Sequence, residues 1–569
     1  MKLSATILFT FLAILLTGCF NASSDLSGIE AGRNISSSKG MVVSAHREAS
    51  IAGVKILKKG GNAVDAAVAT GFALAVCYPE AGNLGGGGFM LIRMADGTKN
   101  VLDYREKAPL KATRNMYLDN NGNPVEGLST STFLASGVPG SVDGLLEAHR
   151  KYGRLPLKDV IQPAIDLAEN GYILSDGQAR SLNGSRDAFL SRNRKPTAFA
   201  KDSLWKEGDL FRQPELALTL TLIRDKGREG FYSGKIAELI VNQMEDNKGL
   251  ISKEDMDSYN SVWRNTIEGN YHGYKIITIP PPSGGGIALL QMLGMVEKFR
   301  LQEKEFHSTA SIHIMVEVER RAFADRAFFA GDADFVKVPV KGLTDSSYLL
   351  ERMSDFDLGK ATPSALIRQG DPTDAESEET THYSVVDSEG NAVSTTTTLN
   401  GTFGSCISVA GAGFLLNNEM DDFSVKPGFP NMYGLTGGEA NSIVPGKRML
   451  SSMTPVIITK GDSLFMVTGS PGGSTIPTTV FQNILNVIDF RMDIGMATDE
   501  NRFYHQWLPD LVFMEEGTAD SLVVSGLERM GYIIRIRGQI GSVNAILRNG
   551  KGILYSGADR RGNNSAAGY

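Results

Sequence analysis

The chain has 569 residues, of which 42% are hydrophobic, and its formal net charge is -7. This composition is typical of a globular protein of enzyme size and excludes a fibrous or intrinsically disordered chain. Lys and Arg are scattered instead of being gathered into a stripe, which excludes nucleic acid as a partner.

The first 18 residues have the pattern of a signal peptide. An apolar run from Ile7 to Leu16 follows Lys2, and it is too short for a transmembrane helix but long enough for a signal-peptide core. The run ends in Leu16-Thr17-Gly18-Cys19, which resembles the bacterial lipobox. An ordinary signal peptide with an incidental cysteine is the alternative. We therefore expect export to the periplasm, a lipid anchor on Cys19 and a polar tether over residues 19–40.

The remaining cysteines and the histidines give no sign of a disulfide framework or a metal site. Cys77 closes an apolar helical pattern and Cys406 lies in a strand-like stretch, so two buried thiols are expected. The seven histidines form neither an HExxH motif nor a cluster with ligand spacing. We therefore predict no metal and no cofactor.

Two helices and a glycine-rich turn are predicted near the start of the mature chain. Apolar residues recur at helical spacing from Arg47 to Lys59, before Gly60-Gly61. Asn62 is the predicted N-cap of a second, buried helix over Ala63 to Val76. The four glycines at 85–88 then lead into a strand. A nucleotide-binding loop is the alternative, but such loops run from strand to helix, so a tight turn with close backbone packing is favoured.

The middle of the chain predicts helices mixed with strands in one large domain. Helices are expected at 157–170, at 312–329 and after the prolines 280–282, with a strand at 274–279. The stretch 362–379 is acidic, has almost no large apolar residue and should stay solvated and mobile. A β-hairpin is predicted directly after it, with strands over 382–387 and 392–398.

Thr380, at the junction of the acidic stretch and the hairpin, is a candidate nucleophile. Cleavage of the bond between Glu379 and Thr380 would place a free α-amine beside the threonine hydroxyl, and that amine could act as its general base. The α-amine has a typical pKa of about 7.7 to 8.0, so a fair fraction is unprotonated at neutral pH. An ordinary loop leading into a strand is the alternative on spacing alone.

Two later segments could complete a site. A strand over 464–467, the turn 469–474 and a helix over 476–489 present backbone N–H groups in the order that suits an anion, which makes Gly472 and Gly473 candidate oxyanion-hole residues. A simple strand-to-helix turn is the alternative. The segment 417–423, after a predicted strand at 413–416, gathers carboxylates and amides suited to calcium or a substrate ammonium. Its spacing differs from an EF-hand loop, which favours the ammonium over calcium, and a solvated acidic turn is the alternative.

These motifs together resemble the γ-glutamyltranspeptidase family. The resemblance runs through the segment 380–387, Thr398-Leu399-Asn400, the segment 417–423, Leu450-Ser451-Ser452-Met453 and the turn 469–474. Upstream it includes the arginine motif at 103–109, Gly137-Val138-Pro139-Gly140, the helical segment 322–326 and Gly331-Asp332. It covers nearly everything from Met41 to Tyr569.

The resemblance implies a fold and a set of roles. The fold would be α+β, the four-layer αββα sandwich of N-terminal-nucleophile hydrolases, built from a large subunit (41–379) and a small subunit (380–569) that form a heterodimer. Thr380 would be the nucleophile and Thr398 would orient its amine. The α-carboxylate of the substrate would bind Arg105, Ser451 and Ser452, and the α-ammonium would bind Asn400, Glu419 and Asp422. Tyr433 would lie in a lid-like loop over 427–438.

The resemblance also implies partners and leaves two rivals. Glutathione and related γ-glutamyl amides would be donors, and water, amino acids or dipeptides would be acceptors. An acylase of the same fold acting on another side chain is the nearer rival, although Arg105, Asp422 and the serine pair speak against it. A peptide-capturing lipoprotein is the second, and it would have no use for Thr380.

Overall fold

The structure is a computed structural model that describes residues 27–329, 331–371 and 382–569. Its strands are β1 (Glu30–Gly32), β2 (Ser36–Ser37), β3 (Met41–Ser44), β4 (Gly87–Arg93), β5 (Lys99–Asp103), β6 (Tyr172–Ile173), β7 (Leu210–Phe211), β8 (Val262–Arg264), β9 (Ile267–Tyr271), β10 (Tyr274–Thr278), β11 (His382–Val386), β12 (Ala392–Thr398), β13 (Val456–Lys460), β14 (Ser463–Thr468), β15 (Phe503–Tyr504), β16 (Val512–Glu515), β17 (Ile534–Arg537), β18 (Asn544–Arg548), β19 (Leu554–Ala558) and β20 (Ser565–Gly568).

The helices alternate with these strands along the chain. They are α1 (Arg47–Lys58), α2 (Ala63–Cys77), α3 (Ser141–Tyr152), α4 (Leu157–Asn170), α5 (Asp176–Gly184), α6 (Arg186–Arg192), α7 (Pro214–Lys226), α8 (Glu229–Tyr232), α9 (Gly234–Asp246), α10 (Lys253–Ser258), α11 (Gly285–Val296), α12 (Thr309–Phe329), α13 (Val340–Leu343), α14 (Ser346–Arg352), α15 (Ile476–Ile488), α16 (Ile494–Asp499) and α17 (Ser521–Met530). Within the described ranges, no helix is both long and apolar enough to cross a membrane.

Two antiparallel sheets form the centre of the molecule. The first has the order β1-β20-β3-β11-β12-β4-β5-β8, and the second has the order β2-β19-β18-β14-β13-β10-β9. Alternate residues of β4 show how the first sheet divides two cores: Phe89 and Leu91 pack toward the second sheet, whereas Met90 and Ile92 pack toward α1 and α2. This alternation follows from the two-residue side-chain period of a strand.

Helices cover the outer face of each sheet. The helices α1 and α2 share a core with the first sheet, and α11, α12 and α15 share another core with the second. The layers are therefore helix, sheet, sheet and helix, which confirms the predicted α+β four-layer αββα sandwich.

Local sequence signals explain the helices that frame the site. Asn62 forms a capping box with Asp65, and the following helix α2 is buried all round, as predicted. The predicted hairpin is present as β11 and β12, and the predicted strand and helix around residues 469–474 are β14 and α15. The helices predicted at 157–170 and after residue 282 are α4 and α11, and the one predicted at 312–329 begins slightly earlier, at Thr309.

Three predictions need correction. The segment 413–416 is not a strand, because Leu415 and Leu416 make only isolated bridges to Ser408 and Gly85. Cys406 lies in a loop with a positive φ of 56° and not in a strand, although both Cys77 and Cys406 are buried free thiols as expected. The part of the acidic stretch up to residue 371 is anchored and not fully solvated, because Ser364 and Ile367 are buried. Residues 372–379 lie outside the described part of the chain.

Candidate active site

The hairpin β11–β12 carries the first part of the site. Its antiparallel register pairs His382 with Thr396, and β12 ends at Thr398, which pairs with Gly87 of β4. The hydroxyl of Thr398 accepts a hydrogen bond from the Asn400 N–H at 2.7 Å. Thr380, the predicted nucleophile, lies outside the described residues, two positions before β11.

The glycines before β4 allow their backbone to pack closely against two other segments, at Thr398 and at Leu415. A Cβ atom on Gly86 would stand 1.9 Å from the Thr398 carbonyl oxygen, and one on Gly85 would stand 2.1 Å from the Leu415 carbonyl oxygen. Real Cβ atoms do not approach that closely, so only glycine fits here. The prediction of a tight turn with close backbone packing is confirmed.

Arg105 is the centre of the site and is completely buried. Its Nη1 donates to Glu419 Oε1 and its Nη2 to Asp422 Oδ2, both at 2.5 Å. It also donates to the carbonyl oxygens of Leu450 at 2.9 Å and Met449 at 3.3 Å. The structure thus gathers the predicted arginine, the acidic segment 417–423 and the segment leading into Ser451-Ser452 around one guanidinium.

Burial and like charge dominate the electrostatics. Burial raises the pKa of Glu419 well above its ordinary range and raises the pKa of Asp422 to about 7. Burial alone would lower the pKa of Arg105, but the surrounding carboxylates, Glu419 first, raise it above the ordinary value. Arg105 is therefore permanently charged, and the carboxylates around it compete for that one charge.

The predicted binding residues around Arg105 include polar atoms that have no partner within the described residues. They are Glu419 Oε2, Asn400 Oδ1 and Ser452 Oγ, and all three atoms are buried. Asn400 is held near Glu419 because its Nδ2 donates to the Asn418 carbonyl oxygen at 3.0 Å. Ser451 is also buried, and its Oγ accepts from the Met453 N–H at 3.3 Å. Buried polar groups without partners are uncommon and point to a polar ligand.

The loop 427–438 closes over this region through Tyr433. The Tyr433 hydroxyl donates to the Asn400 carbonyl oxygen at 2.7 Å, and Asp421 Oδ2 accepts from the Met432 N–H at 3.0 Å. Gln506 Nε2 donates to the Gly434 carbonyl oxygen at 3.3 Å. The predicted lid residue therefore contacts the predicted substrate-binding residue Asn400 directly.

Gly472 and Gly473 lie in the turn between β14 and α15, at φ of 137° and 61°. These positive values favour glycine. Neither amide N–H donates a hydrogen bond to any residue in the described part of the chain. The turn begins beside the hairpin, because a Cβ on Gly469 would stand 2.4 Å from Nδ1 of His382. The two N–H groups therefore have no partner within the described residues, which an oxyanion hole would require.

Sequence reasoning missed two residues that complete the site. Glu106, next to Arg105 in the chain, is fully buried, and its Oε2 lies 3.6 Å from Arg105 Nη1. Asn441 donates from Nδ2 to the Asp422 carbonyl oxygen at 2.6 Å and accepts from the Leu450 N–H at 3.2 Å. The adjacency of Glu106 to Arg105 was a visible signal, whereas nothing in the sequence marked Asn441.

Comparison with known proteins agrees with this geometry. The family profile described as Gamma-glutamyltranspeptidase matches residues 49–569. The "Glutathione hydrolase proenzyme" of Escherichia coli K12 is 46% identical over 571 residues, covering 98% of each chain. The crystal structure of cephalosporin acylase from Bacillus halodurans superposes with a TM-score of 0.83 at 26% identity, covering 95% of this chain and 97% of that one. The Helicobacter pylori gamma-glutamyltranspeptidase structure superposes with a TM-score of 0.57 at 48% identity, covering 57% and 94%.

Proposed function

The chain belongs to the gamma-glutamyltranspeptidase family, and from that premise we propose that it hydrolyses and transfers the γ-glutamyl group of glutathione and related amides. The precursor is cut between Glu379 and Thr380 to give a heterodimer of a large subunit (41–379) and a small subunit (380–569). The "proenzyme" in the name of the E. coli relative supports a maturation step of this kind.

The observation that carries the proposal is the set of unpartnered polar atoms around Arg105. A γ-glutamyl group presents an α-carboxylate and an α-ammonium at its far end. The hydroxyl of Ser452 can donate to the carboxylate, while Glu419 Oε2 and Asn400 Oδ1 can accept from the ammonium. A zwitterion therefore supplies both kinds of partner that this pocket requires.

Arg105 gives the pocket its specificity for the carboxylate end. Its positive charge attracts the carboxylate, although Nη1 and Nη2 already donate to Glu419 and Asp422. Ser451 and Ser452 follow directly after the Leu450 carbonyl that Arg105 contacts. Asp422 lies on the same guanidinium and adds to the binding of the ammonium. With both α groups held, only the side-chain carbonyl of the γ-glutamyl group extends toward the nucleophile.

The register of the hairpin supports Thr380 as that nucleophile. His382 opens β11 opposite Thr396, β12 ends at Thr398, and Thr380 stands two positions before His382 in the sequence. The free amine of Thr380 takes the proton from its own hydroxyl, and Oγ attacks the γ-carbonyl carbon. The N–H groups of Gly472 and Gly473 stabilise the oxyanion. The C–N bond then breaks and the amine leaves with a proton, giving a γ-glutamyl ester on Thr380.

The second half of the reaction regenerates the enzyme. Water attacks the ester in hydrolysis, and the amine of an amino acid or dipeptide attacks it in transfer. In each case the attacking group loses a proton to the Thr380 amine, and Oγ leaves as the alcohol. The described pocket holds the α groups of the γ-glutamyl donor and not the acceptor. The same γ-glutamyl ester can therefore react with either water or an amine.

We also propose that the enzyme is exported and held at a bacterial membrane by lipid on Cys19. This residue and the preceding signal pattern lie outside the described residues, so the proposal depends on the sequence alone. The predicted tether over residues 19–40 needs correction, because its residues 30–32 and 36–37 form β1 and β2 at the edges of the two central sheets. A periplasmic location would place the site in contact with exported glutathione.

The test uses a chromogenic γ-glutamyl anilide, with and without a dipeptide acceptor. Wild-type protein should give two fragments on a denaturing gel and should release the coloured aniline from the anilide substrate. Thr380→Ala should remain one inactive chain, because the hydroxyl serves both self-cleavage and catalysis. Thr381→Ala is the matched control and should still give two fragments. A Thr380→Ala protein that matures normally would show that another residue is the nucleophile.

A further inference from the structure

The proposed γ-glutamyl pocket around Arg105 contains more carboxyl groups than one arginine can neutralise. Three completely buried or nearly buried carboxyls, Glu106, Glu419 and Asp422, surround the single guanidinium of Arg105. Asp422 receives additional attraction from Arg326. Among the described residues, Arg105 is the cation that forms ion pairs with both Glu106 and Glu419, and both lie against the same nitrogen, Nη1, at 3.6 and 2.5 Å.

Glu106 is enclosed by backbone on its other side. A Cβ atom on Gly87 would stand 2.5 Å from Glu106 Oε2, and one on Gly137 would stand 3.0 Å from its Cβ. Gly87 is the residue that pairs with Thr398. The carboxyl of Glu106 is thus fixed between Arg105 and the strand end that carries the candidate orienting threonine.

The hydrogen bonding of the two glutamates is incomplete. Both oxygens of Glu106 and Oε2 of Glu419 have no partner among the described residues, and all three atoms are buried. Two ionised carboxylates cannot hydrogen-bond each other, since each is only an acceptor. A protonated carboxyl has one O–H donor, so a single proton would give both groups a partner.

The side chains of Glu106 and Glu419 interact within hydrogen-bonding reach, and like charges so close together also favour one proton. Two carboxylates that share a buried site cannot both ionise easily, and the pair takes up a proton at a pH where an isolated carboxyl would be charged. Burial raises the pKa of Glu106 to about 7, although Arg105 opposes the shift. Within the described part of the chain, Glu106 also interacts with Asp422 and with the phenols of Tyr104 and Tyr232, none of which supplies a positive charge.

We propose that Glu106 and Glu419 share one proton behind Arg105, and that Glu106 keeps this proton as a donor to Glu419 when the pocket holds a γ-glutamyl α-ammonium. The second half of this statement rests on the proposed function. The positive ammonium stabilises the ionised form of Glu419, so the proton resides on an oxygen of Glu106. Substrate binding then neither releases a proton to solvent nor takes one up. Glu106 is thereby a positioning residue, because it orients Glu419 without contacting the substrate.

Infrared difference spectroscopy on the unliganded mature enzyme tests the shared proton. The spectrum of wild type minus Glu106→Gln at pH 7 should show a protonated-carboxyl C=O band that shifts in D₂O. Other buried carboxyls with raised pKa values, such as Glu319 and Glu80, are common to both proteins and cancel.

The decisive comparison uses Glu419→Gln. A shared proton predicts that the same band is lost in either single variant, because the new amide donates to the remaining carboxylate and allows it to ionise. Asp421→Asn is the matched control. Both Asp421 oxygens already accept hydrogen bonds, from Ser129 Oγ and the Met432 N–H, so the band should persist. Absence of the band from wild type, or its loss in only one of the two glutamate variants, would overturn the sharing.

Kinetics test the positioning role. Glu106→Gln retains a donor of the same shape, so its KM for the γ-glutamyl anilide should stay within about threefold of wild type. Glu106→Leu has similar size without a donor, and its KM should rise by at least about thirtyfold while kcat changes less. Equal KM values for the two variants, with matched melting temperatures, would refute the role. The infrared measurement needs no turnover, so failure of the proposed reaction and failure of proton sharing are distinguishable.

Discussion

Replacing Arg105 by Ala is expected to remove the preference of the enzyme for γ-glutamyl substrates. The side chain is completely buried and donates to two carboxylates and two backbone carbonyls. Truncating one partner of such a buried charge pair costs about 2 to 5 kcal/mol in binding, which is roughly a thirtyfold to several-thousandfold fall in kcat/KM. Arg105→Lys should recover only part of this loss, because an ammonium lacks the bidentate fork.

The assay compares a γ-glutamyl anilide with a glutaryl anilide, which lacks the α-ammonium. To remove the α-carboxylate as well, a butyryl anilide serves as a third substrate. Wild type should strongly prefer the first, and Arg105→Ala should reduce kcat/KM for the two substrates that carry the carboxylate far more than for the butyryl anilide. Loss of the cation also destabilises the fold by about 3 to 5 kcal/mol, so melting temperatures must be measured in parallel. An equal fall in kcat/KM for all three substrates would show that Arg105 supports the fold and not the recognition of the α groups.

Four further outcomes are expected. Thr398→Ala should mature slowly on a denaturing gel, because its hydroxyl orients the nucleophile without being consumed; a wild-type rate would remove it from the site. Gly473→Ala should lower kcat by about tenfold or more at an unchanged fragment pattern, since φ of 61° is strained for Ala and misplaces an oxyanion donor. Cys19→Ala should move active enzyme into the soluble fraction, and wild type should incorporate labelled fatty acid. Burial lowers the pKa of His382 to about 3, so the stability from keeping it neutral is present above about pH 6.5 and is lost as pH falls toward 3. When the pH is lowered from 7 to 5, wild type should lose about 2 kcal/mol more unfolding free energy than His382→Gln.

The elements that the sequence predicts well are those with strong local signals. The helix α2 has a capping box at its start and is apolar throughout, and β11 and β12 are β-branched strands joined by a short turn. The strand predicted at 413–416 is wrong because its apolar residues pack into the core that the helices share, while its backbone makes isolated bridges without a continuous ladder. A run of four apolar residues does not show whether it will form a strand or pack into the core as a loop.

The order of the strands was beyond local reasoning. β20, at the end of the chain, lies between β1 and β3, and β4 pairs with β12 across some three hundred residues. The ion pairs of Arg105 are equally distant in sequence, with Glu419 lying 314 positions away. From the sequence, only the resemblance to a family predicted that these residues belong to one site. The structure shows the contacts among them.

The charge balance of the pocket explains why that site could not be deduced from residue types. Acidic residues in a segment such as 417–423 are most often solvated, yet here Glu419 and Asp422 are withdrawn from water against one arginine. Burying charges costs free energy that a single cation offsets only in part, so this arrangement is poor evidence for stability. Groups with pKa values raised by burial and like charge instead mark functional sites. A ligand that brings an ammonium to Glu419 Oε2 and Asn400 Oδ1 and a carboxylate to Ser452 Oγ would supply partners for these buried atoms, and on the proposed function we expect the pocket to favour a zwitterion over a neutral acyl chain.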